Sequence, residues 1–111
     1  MQNRRRVERI ADFIPISYRI PPDPKIENFL TRDISTLGVK FLMKDFVSKG
    51  TLIELNINLK KVPFSFRIFS TVRWIVKDPS GDRYEVGAEF NNISNAYKEK
   101  LSSYMEEFLK K

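Results

Sequence analysis

The sequence predicts a small antiparallel β-barrel of six strands followed by one C-terminal helix. Three observations carry that prediction. Apolar residues alternate with polar ones in several runs of strand length. Turn signals separate those runs at short intervals. The period then changes, once, near Asn91. A set of short strands avoids exposed edges by closing on itself, so a barrel is the expected arrangement.

The elements are expected in the following order. Residues 1–12 form a flexible arginine-rich arm, in which residues 1–10 hold Arg4, Arg5, Arg6 and Arg9 against the one acid Glu8. Residues 13–92 form the barrel and residues 93–111 the helix, all within a single domain. Phe13 to Ile20, Lys25 to Arg32 and Val39 to Met43 are the weaker strands. Pro21-Pro22-Asp23-Pro24 parts the first two, because proline has no N–H to give a ladder. Ser48-Lys49-Gly50 reads as a hairpin connection into Thr51 to Lys60, where Ile53, Leu55, Ile57 and Leu59 share one face. In Phe64 to Lys77 the inward parity holds Phe64, Phe66, Ile68, Val72, Trp74 and Val76, with Arg67 and Arg73 opposite. A strand this long usually bends or bulges, so the parity need not persist. Asp78-Pro79-Ser80-Gly81 is a turn. Arg83 to Phe90 alternates again, with Tyr84, Val86, Ala88 and Phe90 inward. The helical stripe is Ile93, Tyr97, Leu101, Tyr104 and Phe108, with Ser94 or Asn92 as its cap and Lys110 and Lys111 at its C-terminus. Packing against the barrel is the simplest use of that stripe.

Composition excludes several classes. No run of 18 apolar residues exists, so no transmembrane helix is expected, and no apolar segment follows the basic start as a secretory signal would. The chain has no cysteine and no histidine. Disulfides, thiolate metal sites, imidazole bases and cysteine nucleophiles are therefore absent, and a cytoplasmic location is expected. No Walker A loop, G-x-S-x-G elbow or G-x-G-x-x-G motif occurs among only four glycines. The chain is expected not to be an enzyme and to carry no cofactor or metal.

Charge points to an anionic ligand. The net charge is +6, and residues 1–10 hold +3 of it, all from arginine. The guanidinium fork suits phosphate and the acceptor edge of guanine. A second motif, Asp33-Ile34-Ser35-Thr36-Leu37-Gly38, lies between two expected strands. In an extended segment Asp33 and Ser35 point to one side, and a carboxylate matches the N1–H and N2–H donors of guanine. Gly38 permits a positive φ or a close backbone approach. Read singly, these residues are equally ordinary turn formers.

Taken in order, the motifs resemble the PilZ domain family. Arg5…Arg9 is an R-x-x-x-R pair and Asp33…Ser35…Gly38 a [D/N]-x-S-x-x-G motif. Val72-Arg73-Trp74 and Tyr84-Glu85-Val86-Gly87-Ala88-Glu89-Phe90 look like that family's V-x-W and Y-x-[IV]-G-x-x-F. The resemblance implies a PilZ-like six-stranded barrel and a receptor for the bacterial messenger cyclic di-GMP. Arg5 and Arg9 would bind guanine edges and phosphates, and Arg4 and Arg6 would add charge or stack. Asp33 and Ser35 would hold a guanine, with Gly38 leaving room for it. Trp74 is either a stacking contact or a core tryptophan. Ligand would order the arm and change the surface met by an unidentified downstream protein. Two other readings stand beside this one. One is an adaptor domain with protein contacts only. The other is a small basic nucleic-acid-binding barrel, which requires outward aromatics interleaved with basic residues on adjacent strands.

Overall fold

The structure, a computed structural model, describes residues 14–59, 65–79 and 81–109. The expected arm with Arg4, Arg5, Arg6 and Arg9, the inward Phe64, and the terminal Lys110 and Lys111 all lie outside the described residues.

Six strands close into an antiparallel barrel: β1 (Pro15–Arg19), β2 (Glu27–Ile34), β3 (Gly38–Met43), β4 (Leu52–Asn58), β5 (Ser65–Lys77) and β6 (Tyr84–Phe90). The order around the barrel is β1-β2-β3-β6-β5-β4, with β4 returning to β1. Helix α1 (Asn95–Leu109) follows. Period-two patterning places the core. Ile53, Leu55 and Ile57 of β4 and Phe66, Ile68 and Val72 of β5 are buried together with Ile16, Ile34, Val39, Phe41, Met43, Val86 and Ala88. Burial of this apolar surface supplies most of the driving force for closure.

The helix forms where the period changes. Ser94 Oγ accepts the Tyr97 N–H at 3.1 Å, an N-cap three residues ahead of its donor. Leu101 and Met105 are buried, Tyr97 and Tyr104 are half-buried, and the Tyr97 ring lies 4.8 Å from that of Phe66. The stripe thus serves the barrel, and Met105 extends it beyond the residues that spacing had picked out.

Ser48-Lys49-Gly50 does turn the chain, with Gly50 at φ 90° and the Thr51 N–H bonded to the Ser48 carbonyl. It does not make a hairpin. β3 pairs with β2 and β6, whereas β4 pairs with β1 and β5. The turn is tied instead to β5: the Gly50 N–H reaches the Val72 carbonyl at 2.7 Å, and the Val72 N–H reaches that of Thr51 at 3.0 Å. Turn chemistry is local and does not choose the partner strand.

One ionisable group belongs to the core. Tyr18 is buried, stacked 5.9 Å from Phe29 and tilted 5.6 Å from Phe41. Burial raises its phenol above the ordinary value; a hydrogen bond from the Lys44 backbone opposes this, and the charges of Glu27 and Asp45 add to it. The folded protein therefore holds Tyr18 neutral. Its stabilisation is complete below the unfolded phenol's pKa of about 10 and is lost as pH rises through the higher folded value. In urea titrations the midpoint should drop between about pH 8 and about pH 11, and drop less in Tyr18→Phe than in wild type.

Candidate functional site

Two bulges shape the outer face of β2, β3, β6 and β5. In β2 the register with β3 shifts between Thr31 and Asp33. Thr31 and Ile34 are buried, while Arg32 and Asp33 both remain partly exposed between them. In β5 the register with β6 shifts between Val72 and Trp74. Val72 is buried, and Arg73 and Trp74 both face solvent. Each bulge inserts one extra residue, so two consecutive side chains look outward. Strict alternation had placed Trp74 and Val76 inward. The bulge reverses both, leaving Trp74 40% and Val76 51% exposed, and turns the half-buried Ile75 toward the core.

The registers then align one row across four strands. Asp33 pairs with Lys40, Lys40 with Gly87, and Gly87 with Trp74. Cross-strand partners share a face, so Asp33, Lys40 and Trp74 stand on the same outer surface. Gly87 is the low point of the row. A Cβ there would run into the indole, with Trp74 Cζ2 2.8 Å away and Cε2 and Nε1 nearer still. The absent side chain lets the tryptophan lie down across β6. The indole is thus packed onto β6 on one side and still 40% exposed, which suits a stacking platform.

Charges fill the other half of the row. Lys40 Nζ is 3.2 Å from Asp33 Oδ2 and 4.0 Å from Glu85 Oε2, and Arg32 reaches that same Glu85 oxygen at 3.8 Å. The carboxylate of Asp33 is thus held at the sheet surface by its cross-strand lysine. An open groove beside it on β2 and β3 is lined by Asn28, Leu30, Arg32 and Leu42.

Ser35 sits differently from Asp33. It lies just past the end of β2, fully buried, and its Oγ accepts the N–H groups of Leu37 at 3.0 Å and Gly38 at 3.3 Å. Its own N–H bonds the Gly38 carbonyl at 2.9 Å. The serine closes the β2–β3 hairpin, and the strand does not continue far enough to aim it beside Asp33. Gly38 begins β3 against β6, where a Cβ would strike the carbonyl oxygen of Ala88. Here the glycine answers a close backbone approach.

Sequence reasoning missed Lys40, Arg32 and Glu85. A signal was present: Asp33 has the same parity as the inward Phe29 and Thr31, and a carboxylate on the inward parity calls for a bulge. The aromatic pattern also differs from expectation, since Phe69 and Trp74 emerge from β5 beside Arg67 and Arg73. Arg67 lies 3.4 Å from Glu54, which Arg19 shares at 2.8 Å, and Arg73 lies 2.6 Å from Glu89, so acids of β4 and β6 temper the positive charge along this strand. Among the described residues no group of His, Cys, Asp or Glu side chains is placed to hold a metal ion, and no helix is long and apolar enough to cross a membrane.

Fold and face define the class as a small closed antiparallel barrel with a C-terminal helix and a mixed charged and aromatic outer row. The PilZ domain family profile matches residues 3–107. The chain belongs to the PilZ domain family. No curated protein matches it in sequence. Among solved structures, it is similar to the Bacillus subtilis inhibitor of motility MotI/DgrA at 21% identity and a TM-score of 0.78, over 98% of this chain and 53% of that one. It is also similar to YcgR from Escherichia coli in complex with c-di-GMP, at 17% identity and a TM-score of 0.79, over 96% of this chain and 46% of that one. The K. pneumonia MrkH–c-di-GMP complex matches at 17% identity and a TM-score of 0.76, over 96% and 53%. The chain thus spans about half the length of these three proteins.

Proposed function

We propose that this chain is a non-catalytic receptor for cyclic di-GMP that acts in the cytoplasm. The row Asp33–Lys40–Gly87–Trp74 carries the proposal, because it sets an anionic acceptor for a guanine edge and an indole platform on one outward face. Family membership supports it, since the matched span includes Arg5 and Arg9 as well as Asp33, Ser35 and Gly38. So do the similar folds of YcgR and MrkH, both solved with c-di-GMP.

On this reading Asp33 accepts guanine N1–H and N2–H, Arg5 and Arg9 supply forks for the acceptor edge and the phosphates, and Arg4 and Arg6 contribute charge or stacking. Trp74 stacks on a purine. Ser35 and Gly38 build the tight hairpin that presents Asp33. Fixing the arginine segment costs about 1–2 kcal/mol of backbone entropy per residue ordered, and a micromolar dissociation constant needs about 8 kcal/mol net. Charge-assisted bonds to two phosphates and two stacked bases are of the size to cover both. The output is then a new surface for a downstream protein and involves no reaction.

Calorimetric titration with cyclic di-GMP tests the proposal, with GMP and cyclic di-AMP as competitors. Saturable heat at micromolar ligand is expected, neither competitor should match it, and Arg5→Ala should weaken it by about 10-fold or more. Absence of heat from wild type overturns the proposal.

A further inference from the structure

The row contains a cation that no part of the R-x-x-x-R or [D/N]-x-S-x-x-G pattern includes. We infer that Lys40 is a specificity-determining residue of this site, the ammonium that receives a phosphate between the guanine held at Asp33 and the purine stacked on Trp74. The inference rests on the receptor reading above.

Its position follows from the sheet. Lys40 pairs with Asp33 on one side and with Gly87 on the other, and Gly87 pairs with Trp74. At the usual strand spacing the row from Asp33 to Trp74 spans about 14 Å between Cα atoms. Because the indole lies over Gly87, a guanine on the carboxylate and a second purine on the indole flank β3, and the sugar–phosphate link between them crosses that strand. Lys40 is the row's cation at that crossing. Gly87 adds no side chain there, so the indole packs directly onto β6, the strand next to that of the ammonium.

Its environment keeps it there. Asp33 Oδ2 at 3.2 Å and Glu85 Oε2 at 4.0 Å hold Nζ from two strands, and Arg32 balances Glu85 at 3.8 Å. An ammonium carries three donors. Asp33 is within hydrogen-bond reach and Glu85, at 4.0 Å, is only an ion pair, so donors remain for a phosphate oxygen. The lysine side chain is one-third exposed, so it is open to ligand. Two acids beside it also disfavour a bare anion, so a phosphate is accepted there only when it arrives with a base that Asp33 recognises. That selects a guanine nucleotide over inorganic phosphate.

The test compares Lys40→Met, which keeps length and loses charge, with Lys40→Arg. Cyclic di-GMP is titrated into each at several salt concentrations, and thermal melting checks the fold. A partly exposed ion pair adds little to stability, so both variants should melt close to wild type. Lys40→Met should weaken binding by about 10-fold or more, with Lys40→Arg restoring most of it. The plot of log affinity against log salt should lose about one ion of slope in Lys40→Met and none in Lys40→Arg. Wild-type affinity in Lys40→Met overturns the inference and leaves the receptor reading intact. A weakened Lys40→Met with an unchanged salt slope also overturns it, because the lysine would then only support Asp33. No binding by wild type removes the receptor reading and this inference together.

Discussion

Replacing Asp33 by alanine should reduce cyclic di-GMP affinity by about 100-fold or more while leaving the barrel folded. The binding loss comes from two hydrogen bonds to a charged acceptor, each of about 1.5–3 kcal/mol, so about 3 kcal/mol is the lower end. The stability cost is much smaller. Asp33 is at the surface, its side chain 17% exposed, and its ion pair with Lys40 at 3.2 Å spans neighbouring strands with solvent on one side. Pairs of that kind contribute up to about 1 kcal/mol. Asp33→Asn sharpens the test. The amide keeps the shape and one neutral acceptor, the Asn alternative of the [D/N]-x-S-x-x-G pattern, so its affinity should fall between those of wild type and alanine. Calorimetry for affinity and circular dichroism for melting measure the two effects separately. Binding by Asp33→Ala within about threefold of wild type would mean the carboxylate does not hold the base, since a charge-assisted pair is worth more than that.

Legibility in the sequence divides along the same physical line. Ile53, Leu55, Ile57 and Leu59 announced their strand because one face is buried and the other wet, and period two follows from that. The helix was legible from Tyr97, Leu101 and Tyr104 for the analogous reason, and Ser94 as its cap. The hairpin at Ser35 to Gly38 was legible because turn-forming side chains act within a few residues, whereas Asp33, expected between two strands, lies inside β2 with its face set by a bulge. What failed was anything set by pairing across the sheet. Trp74 changed face because one residue of β5 has no partner in β6, and that mismatch is a property of two strands at once. Lys40 was invisible as a site residue for the same reason: its importance lies in being opposite Asp33 and next to Gly87, positions far apart in sequence. The link from Ser48-Lys49-Gly50 to β5 was lost likewise, because the turn residues are the same whichever strand comes next.

The largest effect on the fold should come from Gly38→Ala. A Cβ at Gly38 points at the backbone of β6, into the Ala88 carbonyl oxygen, with Ala88 C and Glu89 Cα both at 3.1 Å. The obstacle is main chain, so no rotamer change relieves it. Gly38 also pairs directly with Glu89, and the Phe90 N–H bonds the Leu37 carbonyl at 2.8 Å, so β3 cannot back away without breaking its ladder to β6. Overpacking in a tight site costs about 1–3 kcal/mol, and a backbone clash belongs at the top of that range. Loss of about 3 kcal/mol lowers the melting temperature by about 12 °C or more in a domain of this size. Gly81→Ala is the matched control, because a Cβ there meets nothing within 4 Å. It should melt within a few degrees of wild type, as an uncrowded surface substitution does. The contrast separates close packing from a general intolerance of lost glycine. Because the clash involves β6 alone and precedes any ligand, Gly38→Ala should melt early both with and without cyclic di-GMP, whereas Asp33→Ala should melt only slightly below wild type without ligand and fall well behind it when ligand is present. Melting of Gly38→Ala alongside Gly81→Ala would mean that β3 and β6 approach less closely than the barrel requires, and that Gly38 is there for the ligand alone.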